Sequence, residues 1–183
     1  MILKKKNGIY LAVAVIILMI ILVYFISRPA GLYGNDQESI EKILQSEQVF
    51  QNTEIEILEI KDIYNRREVA FLSDQDPAYA EFRKDEKGNY LLSKFQDRNG
   101  EALSSFLIQE FEDQDEVHAA SMLYIANQDN TISKLELTVN EEQVFEREFE
   151  VNQKAVEWIE LPESNEFQFK YRYYDENGKP LNE

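Results

Sequence analysis

Residues 9–26 form an unbroken run of 18 uncharged, mostly apolar side chains, and no other feature constrains the chain as strongly. A helix rises about 1.5 Å per residue, so about 20 such residues cross the roughly 30 Å hydrocarbon core of a bilayer. Tyr10 and Tyr24 lie near the two ends, at the level where a ring can be half wet. Pro29 and Gly31 then break the helix, with Arg28 marking the far edge. A cleaved signal peptide has a shorter apolar core and a small-residue cleavage site. Here the core is longer, and Ser27-Arg28-Pro29-Ala30-Gly31 makes a poor cleavage box. A buried helix of a soluble domain would show a polar stripe, and none interrupts the run. The pattern therefore predicts a tail over residues 1–8, an uncleaved transmembrane anchor over 9–27 and a linker over 28–35.

Flanking charge sets the expected orientation. Lys4, Lys5 and Lys6 precede the run with no acid near them, and acids begin only at Asp36. The positive-inside rule then keeps the amino terminus in the cytoplasm and exports the remainder. The exported part holds all 35 acidic residues of the chain and all but four of its 19 bases. A part so acidic is repelled by an anionic membrane surface, so membrane contact is expected from the anchor alone. The same charge argues against nucleic-acid binding.

The chain has no cysteine, which excludes disulfides, thiolate nucleophiles, zinc-thiolate sites and lipoprotein processing. One histidine, His118, leaves no multi-histidine metal site. An exported eukaryotic domain commonly carries disulfides and glycans. This chain has neither cysteine nor an Asn-x-Ser/Thr acceptor, which fits a bacterial cell envelope better, a Gram-positive one by expectation.

Beyond the linker the pattern predicts an α+β fold. Asn35, with Glu38 three residues on, reads as a helix cap. Ile40, Ile43 and Leu44 then follow at helical spacing, and the helix is expected to end near Glu47. The period changes to two at Ile55 and Ile57, and the shifted phase of Leu58, Ile60 and Ile63 suggests a bulge. With Val69 and Phe71, and the runs flanking Asp85-Glu86-Lys87-Gly88-Asn89, residues 36–98 read as a helix plus a four-strand antiparallel meander. Asn99-Gly100 is a turn signal and a plausible boundary. Residues 101–183 read as a β-sandwich-like unit of five or more strands. Its cleanest strand puts Phe167, Phe169, Tyr171 and Tyr173 on one face, expected to be a core face. Tyr174 and Trp158 are the aromatics expected at the surface.

Certain phrases carry a resemblance. They are Ser39-Ile40-Glu41-Lys42-Ile43-Leu44, Ile55-Glu56-Ile57-Leu58-Glu59-Ile60 and Leu123-Tyr124-Ile125-Ala126. Ile132-Ser133-Lys134-Leu135-Glu136-Leu137 and Asp175-Glu176-Asn177-Gly178-Lys179 complete the set. In this order they resemble a broad group of uncharacterised membrane-anchored or lipid-anchored envelope proteins of Gram-positive bacteria. The usual Gly-Trp near the end of the meander is missing here. The resemblance implies an anchored extracytoplasmic domain and no catalytic residues.

Chemistry-bearing constellations are sparse. His118 could serve Ser104, Ser105 or Ser121 as a base, but there is no Gly-x-Ser-x-Gly elbow. Paired carboxylates are too abundant to single out a hydrolase pair. Asp113-Gln114-Asp115-Glu116, Asp74-Gln75-Asp76 and Asp175-Glu176-Asn177-Gly178 offer hard oxygen ligands, yet none matches a calcium loop and turn formation explains all three. No catalytic, cofactor or metal residue is therefore assigned, and no cofactor is expected. The leading expectation is a non-enzymatic binding or accessory module of the envelope with a protein partner, reached through edge strands. The alternative is a wall-associated hydrolase or a ligand- or ion-sensing domain.

Overall fold

The structure is a computed structural model that describes residues 32–113, 116–164 and 166–181, together with Ile17 and Met19. The chain divides into two compact units, Met1–Leu32 and Tyr33–Glu183. The apolar run at 9–26 lies outside the described residues apart from Ile17 and Met19. Among the described residues no helix is long and apolar enough to cross a membrane. The second unit is mostly antiparallel β-sheet with one short α-helix.

Helix α1, Gln37–Ser46, opens with Asp36 rather than Asn35 as its cap. The Ser39 N–H donates to Asp36 Oδ1 at 2.8 Å, and Ser39 Oγ accepts from the Asp36 N–H at 3.1 Å. This reciprocal pair satisfies amides that a helix start otherwise leaves orphaned. Asn35 is used elsewhere: its Oδ1 accepts from the Tyr90 N–H, and its Nδ2 donates to Asn89. Ile40, Ile43 and Leu44 turn inward, and a short 3-10 turn, Gln48–Phe50, buries Phe50 beside them.

Four strands follow as a meander in the order β1-β2-β3-β4. They are β1 (Ile55–Ile63), β2 (Arg66–Ser73), β3 (Asp76–Lys84) and β4 (Tyr90–Asp97). The bulge expected in β1 lies between Ile57 and Glu59. It resets the phase, so that Ile55, Ile57 and Ile60 all face α1 despite their uneven spacing. The two-residue turn joining β2 to β3 holds Asp74 and Gln75 at φ 50° and 79°, the left-handed pair that matches the twist of a tight hairpin. One face of this first sheet, with Val69, Phe71, Ala78, Ala80 and Phe82, packs under α1.

The remaining strands form two three-stranded sheets. One has the order β5-β6-β9, from β5 (Leu103–Asp113), β6 (Glu116–Ala126) and β9 (Ala155–Glu160). The other has the order β10-β7-β8, from β7 (Lys134–Val139), β8 (Gln143–Glu148) and β10 (Phe169–Tyr174). The back face of the first sheet, with Ala70, Leu72 and Tyr79, packs on Phe106, Ile108, Leu123 and Ile125 of the second. The other face of the second sheet, with Met122, Tyr124 and Ile159, packs on Leu135, Leu137 and Val139 of the third. The layers are therefore helix, sheet, sheet, sheet, and the two β units share a core across Asn99-Gly100. The middle sheet is covered on both faces, which is why β6 reads as a continuous apolar run rather than an alternating one.

The first residues of the unit are clamped. Arg67 donates to the carbonyls of Gly34 and Asn35, both at 2.9 Å, while its guanidinium pairs with Asp62 and lies over the Tyr90 ring. A Cβ at Gly34 would come within 2.6 Å of the Phe82 ring, so only glycine fits this crossing.

Candidate functional site

Among the described side chains those with chemical potential do not converge. His118 lies on β6, and its side chain is not among the described ones. Ser104 is buried, and its hydroxyl donates to Glu101 Oε2 at 2.7 Å, while Ser121 lies elsewhere on β6. Gln114 and Asp115 lie outside the described residues. Asp74 ties down the chain before β1, accepting from the Glu54 N–H at 2.7 Å. Asp175 accepts from the amides of Asn177 and Lys179, both at 2.9 Å. Asp175 thereby closes its own turn, as short polar side chains do when they reach nearby backbone, whereas Asp74 links its turn to a distant segment. Among the described residues no group of three or more acidic or histidine side chains is placed to hold a metal ion.

Two charged groups that alternation would send outward are instead buried between the first and second sheets. Glu68 and Glu81 are 1% and 0% exposed, on the face that meets β5 and β6. Arg66 reaches both, with Nη1 3.3 Å from Glu81 Oε2 and Nε 3.7 Å from Glu68 Oε1, and Nη1 also donates to the Gln109 carbonyl at 2.9 Å. Glu81 takes further charge from Arg83 at 2.7 Å and Lys94 at 3.2 Å. Burial pushes the Glu81 carboxyl up, but these cations outweigh it and hold it below its ordinary value. Burial raises Glu68, a hydrogen bond donated by the Tyr79 hydroxyl at 2.6 Å only partly offsets this, and the nearby Glu81 charge adds to the rise. Glu68 Oε1 has no hydrogen-bond partner. The cluster joins two sheets, and its carboxylates are not open to a substrate. Its trace in the sequence is a lone acid within an apolar strand, Glu68 before Val69-Ala70-Phe71-Leu72 and Glu81 between Ala80 and Phe82.

The stack of the second and third sheets has two open sides, and they differ. On the β8/β9 side, Arg147 donates to the Glu146 carbonyl at 2.7 Å and to the Trp158 carbonyl at 3.0 Å, spanning both edge strands. Trp158 is half-buried rather than at the surface: its ring packs between the first two sheets, its Nε1 donates to Glu59, and Lys61 lies over it at 4.3 Å. On the β5/β10 side there is an aromatic ladder. Phe167, Phe169, Tyr171 and Tyr173 lie in sequence with ring centroids 5.7, 6.3 and 6.1 Å apart. They face the core, as their period predicts, yet each is only half-buried. Burial raises the phenol of Tyr171 and pushes Tyr173 up to about 12, so both stay neutral donors at any physiological pH. Tyr174 turns to the opposite face and donates to Glu136 at 2.8 Å.

Two depressions lie on the surface of the described residues. One, of about 350 Å³, lies over Ile108 and Ser121 with Lys61, Tyr64 and Glu160 on its walls. The other, of about 500 Å³, is lined by Lys134, Glu136, Glu148 and Tyr174 among others, and Lys134 there bridges to Glu136 at 3.1 Å and to Glu146 at 2.9 Å. No protein-family model matches the chain, and neither a curated protein nor a solved structure matches it.

Proposed function

We propose that this protein is a membrane-anchored, extracytoplasmic binding module of a bacterial envelope, held by residues 9–27 with its amino terminus in the cytoplasm. The anchor rests on the apolar run and its flanking lysines. The likeness to anchored Gram-positive envelope proteins belongs to the same proposal. The observation that carries the binding role is the inequality of the two edges of the β stack. One is covered by an arginine that occupies its carbonyls. The other presents a strip of half-buried aromatics on an end strand, a surface suited to an extended protein segment. The module is non-enzymatic in this reading. A small-ligand sensor is the second reading, favoured only by the 350 Å³ depression beside Lys61 and Glu160.

The test is crosslinking of the full-length tagged protein in its own cells, with residues 1–35 as control, alongside protease treatment of intact cells. The expected result is cleavage of the folded part from outside and a discrete protein captured only by the full-length chain. Protection from external protease overturns the topology. Turnover of an envelope substrate, abolished by one substitution, overturns the non-enzymatic role.

A further inference from the structure

We infer that the outer edge of β10 is where a partner adds a strand, and that the partner segment alternates apolar with acidic side chains. The inference rests on the binding-module reading and names the place and chemistry of the contact. Strand β10 has β7 on one side and is the end strand of its sheet. Its edge already accepts a strand-like hydrogen bond. The chain's own tail folds back so that Pro180 bridges Tyr174 and the Leu181 N–H donates to the Tyr173 carbonyl at 2.8 Å. Among the described residues that contact reaches Tyr173 and Tyr174, and an incoming segment would lie along Phe169, Lys170, Tyr171 and Arg172.

The two faces of β10 specify what fits. Inward, Phe169 and Tyr171 offer half-buried rings, so the segment's inward positions must be apolar. Outward, the strand presents Lys170 and Arg172 and no acid of its own, in a chain whose net charge is -16. Arg172 lies 3.8 Å from Glu136 on β7, yet its side chain stays 61% exposed. Residues opposite one another on a sheet face lie close enough for charge to count, and opposite charges are favoured. The outward positions of the segment are therefore Asp or Glu. A second copy of β10 does not fit. Antiparallel self-pairing over Lys170 and Arg172 sets Lys170 against Lys170, Lys170 against Arg172, or Arg172 against Arg172, and like charges directly opposite are unfavourable. Registers centred on Tyr174 meet the end where the Leu181 N–H already bonds Tyr173. The opposite side of the stack is closed by Arg147.

The test uses the full-length chain in nanodiscs and two labelled octapeptides, one alternating Val and Glu and the other Val and Lys, read by fluorescence anisotropy. The expected result is binding of the Val/Glu peptide at least about fivefold tighter than the Val/Lys peptide, from two cross-strand charge pairs. In the double variant K170E/R172E the preference should reverse. Both substitutions are on the outer face, where Lys170 is exposed, and circular dichroism checks that the fold persists. Equal binding of the two peptides, no binding of either, or an unchanged preference in the variant overturns the inference. A partner captured in cells by wild type and K170E/R172E alike would leave the binding module standing and remove β10 from it. No captured partner at all would remove the module itself.

Discussion

Strand β6 meets a different surface on each face. Leu123 and Ile125 look toward the first sheet, where the apolar contact ends in the buried charges of Arg66, Glu68 and Glu81. Met122 and Tyr124 look toward the third sheet, where the contact is aliphatic and then aromatic out to its edge. Apolar layers of similar size can slide or mispair at little cost, whereas a buried ion cluster is satisfied in one alignment only. The charged interface thus fixes how the helix-covered sheet meets the rest. The apolar one leaves β10 as the end strand of its sheet, the edge proposed above for a partner.

The largest expected effect comes from breaking the charged side. Glu81→Ala removes the carboxylate that Arg66 meets at 3.3 Å and should cost about 3 kcal/mol in denaturant unfolding, the lower end for a buried pair because Arg83 and Lys94 reach solvent. The pH dependence sharpens the contrast. The folded Glu81 carboxyl lies below its ordinary value of 4.5. Its stabilisation is therefore present above that value and lost as the pH falls through the folded one. Glu68 is raised, so its contribution is full below 4.5 and fades as the pH rises through the folded value. Glu81→Gln should flatten the acid limb of the stability curve, and Glu68→Gln should flatten the limb above 4.5. Stability curves that keep both limbs in both variants would contradict the assignment.

On the apolar side the effects are smaller. Arg147→Ala frees the Glu146 and Trp158 carbonyls and should cost about 1 kcal/mol, together with concentration-dependent self-association by sedimentation. A monomer as stable as wild type would show that the two edges are not unequal for the reason given. The smallest effect is at Tyr124, 0% exposed, whose hydroxyl has no partner. Tyr124→Phe should raise stability by up to about 1 kcal/mol, measured by urea unfolding, because it removes a buried unsatisfied group.

Periodicity made much of the fold legible. The uneven spacing of Ile57, Leu58 and Ile60 marked the bulge, and the alternation after Phe167 marked the inward face of β10. Local signals failed where a distant group competes. Asn35 looks like a helix cap, but Tyr90, 55 residues away, claims its side chain, and Asp36 takes the role. Trp158 reads as a surface aromatic until Glu59 and Lys61 from the first sheet close over it. The candidate contact depends on which strand ends the sheet, and strand order in a non-sequential sheet, β10-β7-β8, follows from no local pattern. Arg147 was invisible for the same reason: its role exists only because β8 and β9 end their sheets on the same side.

The most direct test of the unequal edges places a photo-crosslinking amino acid at one position of each in the full-length chain in its own cells, replacing Lys170 on β10 or Val144 on β8. Val144 is 60% exposed, so both positions are open to contact. A discrete protein adduct from position 170 and none from position 144 is the predicted outcome. Adducts of equal yield from both, or an adduct from position 144 alone, would contradict the account.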